Sequence, residues 1–160
     1  MTYLLDAVIL FALVASGIMA GVYYAFSVFV MRALDALEAP AGMLAMQSIN
    51  RVILKTSFLP LFFTSSVAAA GLAVVAALDL SAPGAVALLL ASIIYFAGMF
   101  LVTVVGNVPL NNALEATPGA SPEAEQTWRH YRQRWTAWNH VRTLSCIIAL
   151  ALYALAFAAR

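Results

Sequence analysis

Residues 85–105 read AVALLLASIIYFAGMFLVTVV, a run of 21 residues that contains no charged side chain. An α-helix rises about 1.5 Å per residue, so about 20 apolar residues cross the hydrocarbon core of a bilayer, whereas a tilted strand needs only about 10. Only a helix satisfies its own backbone hydrogen bonds in lipid without closing into a barrel. The run therefore predicts a membrane-spanning helix.

Three further apolar runs of spanning length accompany this one, at about Leu5–Met31, Phe58–Leu78 and Thr143–Ala159. Pro109 is expected to end the span at 85–105 soon after Gly106, because proline interrupts the helical hydrogen-bond ladder. Hydrophobic residues make up 64% of the chain and charged residues 9%, whereas soluble domains are about half apolar. We predict an all-α fold, a four-transmembrane-helix bundle that forms a single integral membrane domain over residues 1–160.

The few charges are unevenly placed between the spans. Arg32, Arg51 and Lys55 follow the first span, four arginines lie between 129 and 142, and the turn around Asp79 has no Lys or Arg. The positive-inside rule then predicts that both long loops are cytoplasmic, in a protein of the bacterial inner (plasma) membrane. A net charge of +1 gives no reason to expect a nucleic-acid partner. A single cysteine excludes an internal disulfide and dithiol chemistry.

Residues 128–142, WRHYRQRWTAWNHVR, contain all three tryptophans and directly precede the fourth span. They form the end of a predicted amphipathic helix at about 122–142. At about 100° per residue, one narrow face of that helix carries six side chains, namely Trp128, Tyr131, Trp135, Trp138, Asn139 and Arg142. Such a face is either an anchor in the lipid headgroup layer, with membrane lipid as its partner, or the wall of a binding site.

Two other sets of polar side chains are expected at a similar depth in the membrane. Gln47 and Asn50 share one face of a predicted helix after the first span, and Asn107 and Asn111 lie one turn apart after the third. Each set has an alternative interpretation as a purely structural feature. Gln47 and Asn50 would lie on an interfacial helix, and Asn107 and Asn111 would cap carbonyls released by the proline. Because an unpaired amide in hydrocarbon costs several kcal/mol, we predict that these side chains meet Trp135, Asn139 and Arg142 around one polar cavity.

Gly17 and Gly21 form a small-xxx-small pair that permits close helix contact, within the chain or in an oligomer. Tyr24 follows them toward the predicted cavity. His130 and His140 lie off the tryptophan face and have no metal-binding spacing. No metal site is therefore predicted, and haem ligation by one of the two histidines stays open as an alternative.

Four stretches together resemble the anthrone oxygenase-like family of small four-helix membrane proteins. They are GIMAGVYYAFS (17–27), MQSINR (46–51), GNVPLNN (106–112) and WRHYRQRWTAWNHVRTLS (128–145). The resemblance covers about residues 5–157. It implies oxidation of a hydrophobic aromatic or quinone-type small molecule by dioxygen, without a tightly bound cofactor. The alternative is a non-catalytic lipid- or small-ligand-binding protein or an accessory subunit.

The chemistry implied by the resemblance assigns roles to the polar residues. An anthrone carries an acidic C–H, and its carbanion can pass an electron to dioxygen, so the protein needs a base, oxyanion donors and an aromatic pocket. The expected catalytic group is Asn50, Asn107, Asn139 and Arg142, with Arg134 as a second candidate cation. The expected substrate-binding group is Tyr24, Gln47, Asn111, Tyr131, Trp135 and Trp138. His130 and His140 are the nominal bases, although the helical wheel places both away from the pocket.

Overall fold

The computed structural model describes residues 2–119 and 121–160, and no strand occurs in these two ranges. The predicted all-α fold is confirmed. The elements in chain order are α1 (Thr2–Ala25), a π-helical turn (Phe26–Val30), α2 (Met31–Asp35), α3 (Ala39–Ile53), α4 (Phe58–Leu78), α5 (Ala85–Tyr95), two further π-helical turns (Phe96–Leu101 and Thr103–Asn107), α6 (Val108–Glu115) and α7 (Ala124–Ala158).

Four continuous helices are long and apolar enough to cross a membrane, and the chain is an integral membrane protein. They are Tyr3–Asp35, Phe58–Leu78, Ala85–Glu115 and Ala124–Ala158. At 1.5 Å per residue the last is about 52 Å long, against a hydrocarbon core of about 30 Å. The predicted amphipathic segment is therefore the first half of a continuous helix that projects beyond the lipid.

The expectation that Pro109 stops the third span is wrong, because the helix passes the proline and continues to Glu115. Directly before Pro109, the N–H of Val108 donates to the carbonyl of Thr103, five residues earlier. Wide turns of this kind satisfy backbone groups that a proline would otherwise release, so a membrane helix can tolerate it. The sequence shows the proline but does not show this local adjustment.

The helices bury two separate clusters of apolar side chains. The first, which we call the membrane core, is formed by α1, α4, α5 and α7 with the turn Phe96–Leu101. The second, which we call the cap core, is formed by the C-terminal end of the first span, α3, α6 and the first half of α7. Its buried members are Met31, Met43, Met46, Leu114, Ala124, Trp128, Tyr131 and Trp135.

The position of the membrane relative to the two cores follows from helix length. Arg160 pairs with Asp6 at 2.6 Å between Nε and Oδ1, which places the start of α1 beside the end of α7. About 20 residues from this pair, the length of one crossing, the chain reaches Phe26 on the first span and His140 on α7. The cap core lies beyond that level. We call this side of the molecule the cap end.

Glycine allows the closest approach between the third span and α7. A Cβ on Gly98 would overlap Oγ of Ser145, so only a hydrogen fits there. At Gly17 a Cβ would make ordinary contact with Leu150 at 3.6 Å, and at Gly21 it would meet nothing within 4 Å. Of these three glycines only Gly98 makes a tight contact within the chain, and an oligomer contact through Gly17 and Gly21 stays a prediction.

Candidate functional site

A cavity of about 230 Å³ lies where the two cores meet. Its wall combines membrane-core aromatic rings such as Phe62 with cap-core side chains such as Met46 and Trp135. Ligand pockets in proteins usually measure about 300–1,000 Å³, so this one suits a compact molecule. The polar residues that line it are Tyr23, Asn50, Thr103, Asn111 and Arg142.

Three π-helical turns surround this cavity and shape it. Phe26 lies in the first turn, Phe100 in the second and Thr103 in the third, and all three residues line the cavity. π-turns are rare and often occur at functional sites, because the extra residue in the turn redirects the side chains that follow. The third turn leads into α6, where Val108 and Asn111 also line the cavity.

Arg142 is the only charged residue on the cavity wall among the residues described. Its guanidinium carbon lies 4.2 Å from the centre of the Tyr23 ring and 5.0 Å from the centre of the Trp135 ring. The side chain is 5% exposed and joins none of the ion pairs formed within residues 2–119 and 121–160. Two aromatic faces thus hold a buried cation, and its charge remains available to an anion.

Asn139 fixes the position of that guanidinium. Its Oδ1 accepts a hydrogen bond of 2.7 Å from Nη2 of Arg142. Its Nδ2 donates to the backbone carbonyl of Tyr23 at 2.7 Å and to Oγ of Ser27 at 2.8 Å. Both amide hydrogens are used on α1 and its extension, so the amide can present only its oxygen to Arg142. A second, weaker contact joins Nη1 of Arg142 to Oγ1 of Thr103 at 3.4 Å.

Asn111 closes the opposite part of the wall. Its Oδ1 accepts hydrogen bonds of 2.9 Å from Oη of Tyr131 and from Nε1 of Trp135. The rings of Trp128, Tyr131 and Trp135 stack in sequence along α7, with centroid separations of 5.8 and 6.0 Å. These three rings of the tryptophan face are therefore packed inside the cap core, and hydrogen bonding and stacking hold the indole of Trp135 at the edge of the cavity.

Three buried donor groups on the cavity wall have no hydrogen-bond partner within the described part of the chain. They are Nδ2 of Asn50, Oη of Tyr23 and Nε of Arg142. Buried polar groups are nearly always paired, and an unsatisfied donor costs about 1–3 kcal/mol. All three can donate to oxygen, so the wall fits a ligand that offers oxygen acceptors.

The predicted site residues thus divide into three groups. Asn50, Asn111, Trp135 and Arg142 line the cavity. Asn139 and Tyr131 lie behind the wall and hold cavity residues in place. The remaining four, Tyr24, Gln47, Asn107 and Trp138, lie elsewhere.

Each of these four has an identifiable environment. Gln47 donates to the carbonyls of Leu114 and Thr117 at 2.7 and 3.0 Å, and so caps the end of α6. Asn107 donates to the carbonyl of Trp135 at 3.2 Å. Trp138 packs on Gly106, where a Cβ would lie 2.8 Å from the ring. Tyr24 is 54% exposed on the outside of α1.

Tyr23, which the sequence reasoning passed over, lies on the cavity wall in place of Tyr24. Adjacent residues on a helix point about 100° apart. The buried side chains of α1 recur at helical spacing, at Ile9, Ala12, Ser16, Met19 and Tyr23, and this burial, which only the structure shows, distinguishes Tyr23 from Tyr24. Sequence reasoning also missed Thr103 as a partner of Arg142.

Neither histidine lines the cavity. His140 is exposed, and its Nδ1 lies 3.0 Å from Oγ of Ser27. Both residues line a separate groove and not the cavity. His130 is exposed near the start of α7. Within residues 2–119 and 121–160, no group of three or more His, Cys, Asp or Glu side chains could hold a metal ion.

The sequence profile of the family described as anthrone oxygenase matches residues 51–152, more than half of the chain. The chain belongs to the anthrone oxygenase family. The matched region includes Asn107, Asn111, Trp135, Asn139 and Arg142, and it ends before the membrane core does. No curated protein and no solved structure matches the chain.

Proposed function

We propose that this member of the anthrone oxygenase family oxidises a compact, hydrophobic aromatic molecule that ionises at oxygen, with dioxygen as the oxidant. One observation carries the proposal. Arg142 is buried without a carboxylate partner among the described residues, in an aromatic cavity whose other unpaired groups are donors. Burying a lone guanidinium is costly unless an anion compensates it, so the cavity is complementary to an oxyanion.

The chemistry of an anthrone fits such a site. Loss of a proton from the C–H opposite the carbonyl gives an anion whose charge is delocalised onto the carbonyl oxygen. That anion passes one electron to dioxygen, the two radicals combine into a carbon–oxygen bond, and loss of water from the resulting peroxide leaves a second carbonyl. The sum is anthrone plus dioxygen to anthraquinone plus water. A preformed donor aimed at the developing oxyanion contributes about 10²–10³ in rate.

The residues of the wall divide this work in the proposal. Arg142 binds the oxyanion, and Trp135 with the membrane-core phenylalanines packs against the flat ring. The unpaired amide of Asn50 donates to a second oxygen of the substrate. The wall residues are held in position by hydrogen bonds with four side chains, Asn107, Asn111, Tyr131 and Asn139, each of which bonds to a side chain or backbone group of a wall residue.

Removal of the proton needs no dedicated base in this proposal. Along the described cavity wall there is no Asp, Glu or His side chain. Water accepts the proton, and the field of Arg142 displaces the ionisation equilibrium toward the anion because a nearby cation stabilises the charged form. Arg142 thus supplies both the binding and the activation of the substrate.

The proposal includes an orientation, with both long loops in the cytoplasm of a bacterial inner membrane. Its support is the distribution of basic residues, which favours the cap end over the turn at 79–84. Single cysteines at Leu37, Ala116 and Ser81, in a Cys146→Ser background, test it. We expect an impermeant thiol reagent to label only Ser81→Cys in intact cells, and labelling restricted to the other two positions would reverse the orientation.

The decisive experiment measures dioxygen uptake by the protein purified in detergent with anthrone as the probe. We expect turnover in the wild type, a loss of 100-fold or more in Arg142→Met, and full activity in Arg129→Met, an exposed arginine on the same helix. Thermal unfolding and gel filtration confirm that the variants are folded. No uptake by the wild type, or equal uptake by both variants, would contradict the proposal.

A second function, non-catalytic binding of a hydrophobic anion, is favoured by one observation. The absence of a carboxylate or imidazole from the described wall suits a carrier as well as an oxygenase. The two functions separate in the same experiment. Binding of a phenolate that depends on Arg142, without dioxygen uptake, would establish the carrier.

A further inference from the structure

A chain of three hydrogen bonds leads from the outer surface of the protein to the buried guanidinium. Nδ1 of His140 lies 3.0 Å from Oγ of Ser27, Oγ of Ser27 accepts from Nδ2 of Asn139 at 2.8 Å, and Oδ1 of Asn139 accepts from Nη2 of Arg142 at 2.7 Å. His140 lies in an open groove of about 390 Å³ that is separate from the cavity. The charged groups that share this groove are Arg32, Asp35 and Arg132.

We propose that His140 is a positioning residue for Arg142 and acts on it through Ser27 and Asn139. The inference rests on the proposed function in one respect, that Arg142 is the group that binds an oxyanion. It assigns a role to a histidine that neither lines the cavity nor touches the substrate. The role is to keep the donor end of the guanidinium aimed into the cavity.

The hydrogen-bond capacity of each group shows what His140 contributes to the chain of hydrogen bonds. Oγ of Ser27 accepts from Asn139, so its own proton must go to another acceptor. The two neighbours within reach are Nδ1 of His140 at 3.0 Å and Oγ1 of Thr143 at 3.1 Å. Thr143 donates its proton to the backbone carbonyl of Asn139 at 2.9 Å, and its Oγ1 can still accept from Ser27. His140, with its own proton on Nε2, gives the Ser27 hydroxyl an acceptor on the groove side, which leaves a lone pair of Oγ for Asn139.

The histidine also limits the contact of this network with water. Ser27 and His140 both line the open groove, so loss of the ring should leave Oγ of Ser27 more exposed to solvent. Water would then compete for the lone pair that Asn139 uses, because hydrogen bonds exchanged with water have a small net free energy. Asn139 would lose one of the two bonds that orient its amide.

Arg142 depends on that amide. Its contact with Asn139 is short, at 2.7 Å, whereas its contact with Thr103 is 3.4 Å and the two aromatic faces do not fix rotation about the side-chain axis. A guanidinium binds an oxyanion well only when its N–H groups point at it. A loosened Asn139 should therefore weaken anion binding and leave the fit of a neutral ring unchanged.

The test uses two ligands of nearly equal shape with the full-length protein in detergent. The first, 2-hydroxyanthraquinone, changes its visible absorption when it binds as the phenolate. The second, anthraquinone, carries no ionisable group, and its binding is measured by quenching of tryptophan fluorescence. The variants are His140→Leu, His140→Asn and His140→Gln, with His130→Leu as the control, since His130 is another exposed histidine of α7.

We expect His140→Leu to weaken phenolate binding about tenfold and to leave anthraquinone binding within twofold of the wild type. His140→Asn should restore phenolate binding to within threefold, because its amide lies the same number of bonds from the backbone as Nδ1. His140→Gln, whose amide is one bond further out, should resemble His140→Leu. His130→Leu should bind both probes like the wild type.

Two results would overturn the inference and leave the proposed function standing. They are wild-type phenolate binding in His140→Leu, and equal weakening of both probes in that variant, which indicates a merely structural role. If His140→Leu does not fold, the comparison of His140→Asn with His140→Gln decides, and equal phenolate binding by the two overturns the inference. Wild-type protein that does not bind 2-hydroxyanthraquinone as the phenolate contradicts the proposed function itself, and the inference with it.

Discussion

The membrane core and the cap core lie end to end along the first, third and fourth spans but differ in composition. Seven of the 17 buried residues of the membrane core are alanine, and the cap core has none but Ala124 among three methionines, two tryptophans, a tyrosine and a leucine. In lipid, an apolar side chain gains little by moving from solvent into the protein, so helices associate through close packing of small residues and through polar pairs. Outside the lipid, burial of large apolar groups away from water is the main driving force.

The buried polar groups follow the same division. In the membrane core two of the three buried tyrosines bond to serines on neighbouring helices, Tyr95 to Ser65 at 2.9 Å and Tyr153 to Ser92 at 3.2 Å. In the cap, the amide of Gln47 bonds to backbone carbonyls at a helix end. Arg142 lies between one ring of each core, Tyr23 and Trp135. The charge is thus held at the one level of the molecule where both kinds of packing meet.

The largest expected effect lies in the cap core, at Trp128. We expect Trp128→Ala to lower the free energy of unfolding by about 3–5 kcal/mol, since it leaves a large cavity under a stacked pair of rings. Unfolding of the purified protein by denaturant or heat measures it. The matched control is Leu144→Ala, on the lipid-facing side of α7, where we expect a change below about 0.5 kcal/mol. Equal losses at both positions would break the comparison.

A smaller effect is expected from added volume in the membrane core. Gly98→Ala should cost about 1–3 kcal/mol, because its new methyl group overlaps Cβ and Oγ of Ser145. The compensating change Ser145→Gly removes both atoms and leaves Cα of residue 145 at 3.8 Å. We expect the double variant Gly98→Ala, Ser145→Gly to recover most of the loss. A double variant as unstable as Gly98→Ala alone would show that close packing at this crossing is not the cause.

The smallest effect should come from the hydroxyl pair of Tyr95 and Ser65. Polar pairs between membrane helices contribute about 0.6 kcal/mol on average. A double-mutant cycle of Tyr95→Phe and Ser65→Ala should therefore give a coupling free energy near that value. A coupling above about 2 kcal/mol would show that polar pairing, more than packing, holds the membrane core together.

The site was predictable in kind more than in detail. The sequence shows polar and aromatic side chains at one depth in the membrane, namely the tryptophan face, the amides and Arg142. The structure places four of them on the wall of one cavity, Asn50, Asn111, Trp135 and Arg142. The functional roles of all the predicted site residues stay predictions. Helix periodicity read from sequence does not distinguish two adjacent residues whose side chains point about 100° apart. The prediction of Tyr24 as a site residue is therefore off by one position, since Tyr23 lies on the wall.

The sequence by itself determined that the chain is all-helical, that four segments cross a membrane, and that it belongs to the anthrone oxygenase family. These features depend on local hydropathy, on helical periodicity and on motifs read along the chain. Only the tertiary structure decided that the third span continues past Pro109, that Gln47 caps α6, and that an exposed histidine connects with a buried arginine. Each of these depends on which backbone carbonyl or side chain a polar group meets across the fold, and residues as far apart as Ser27 and Asn139 become partners only when the helices pack.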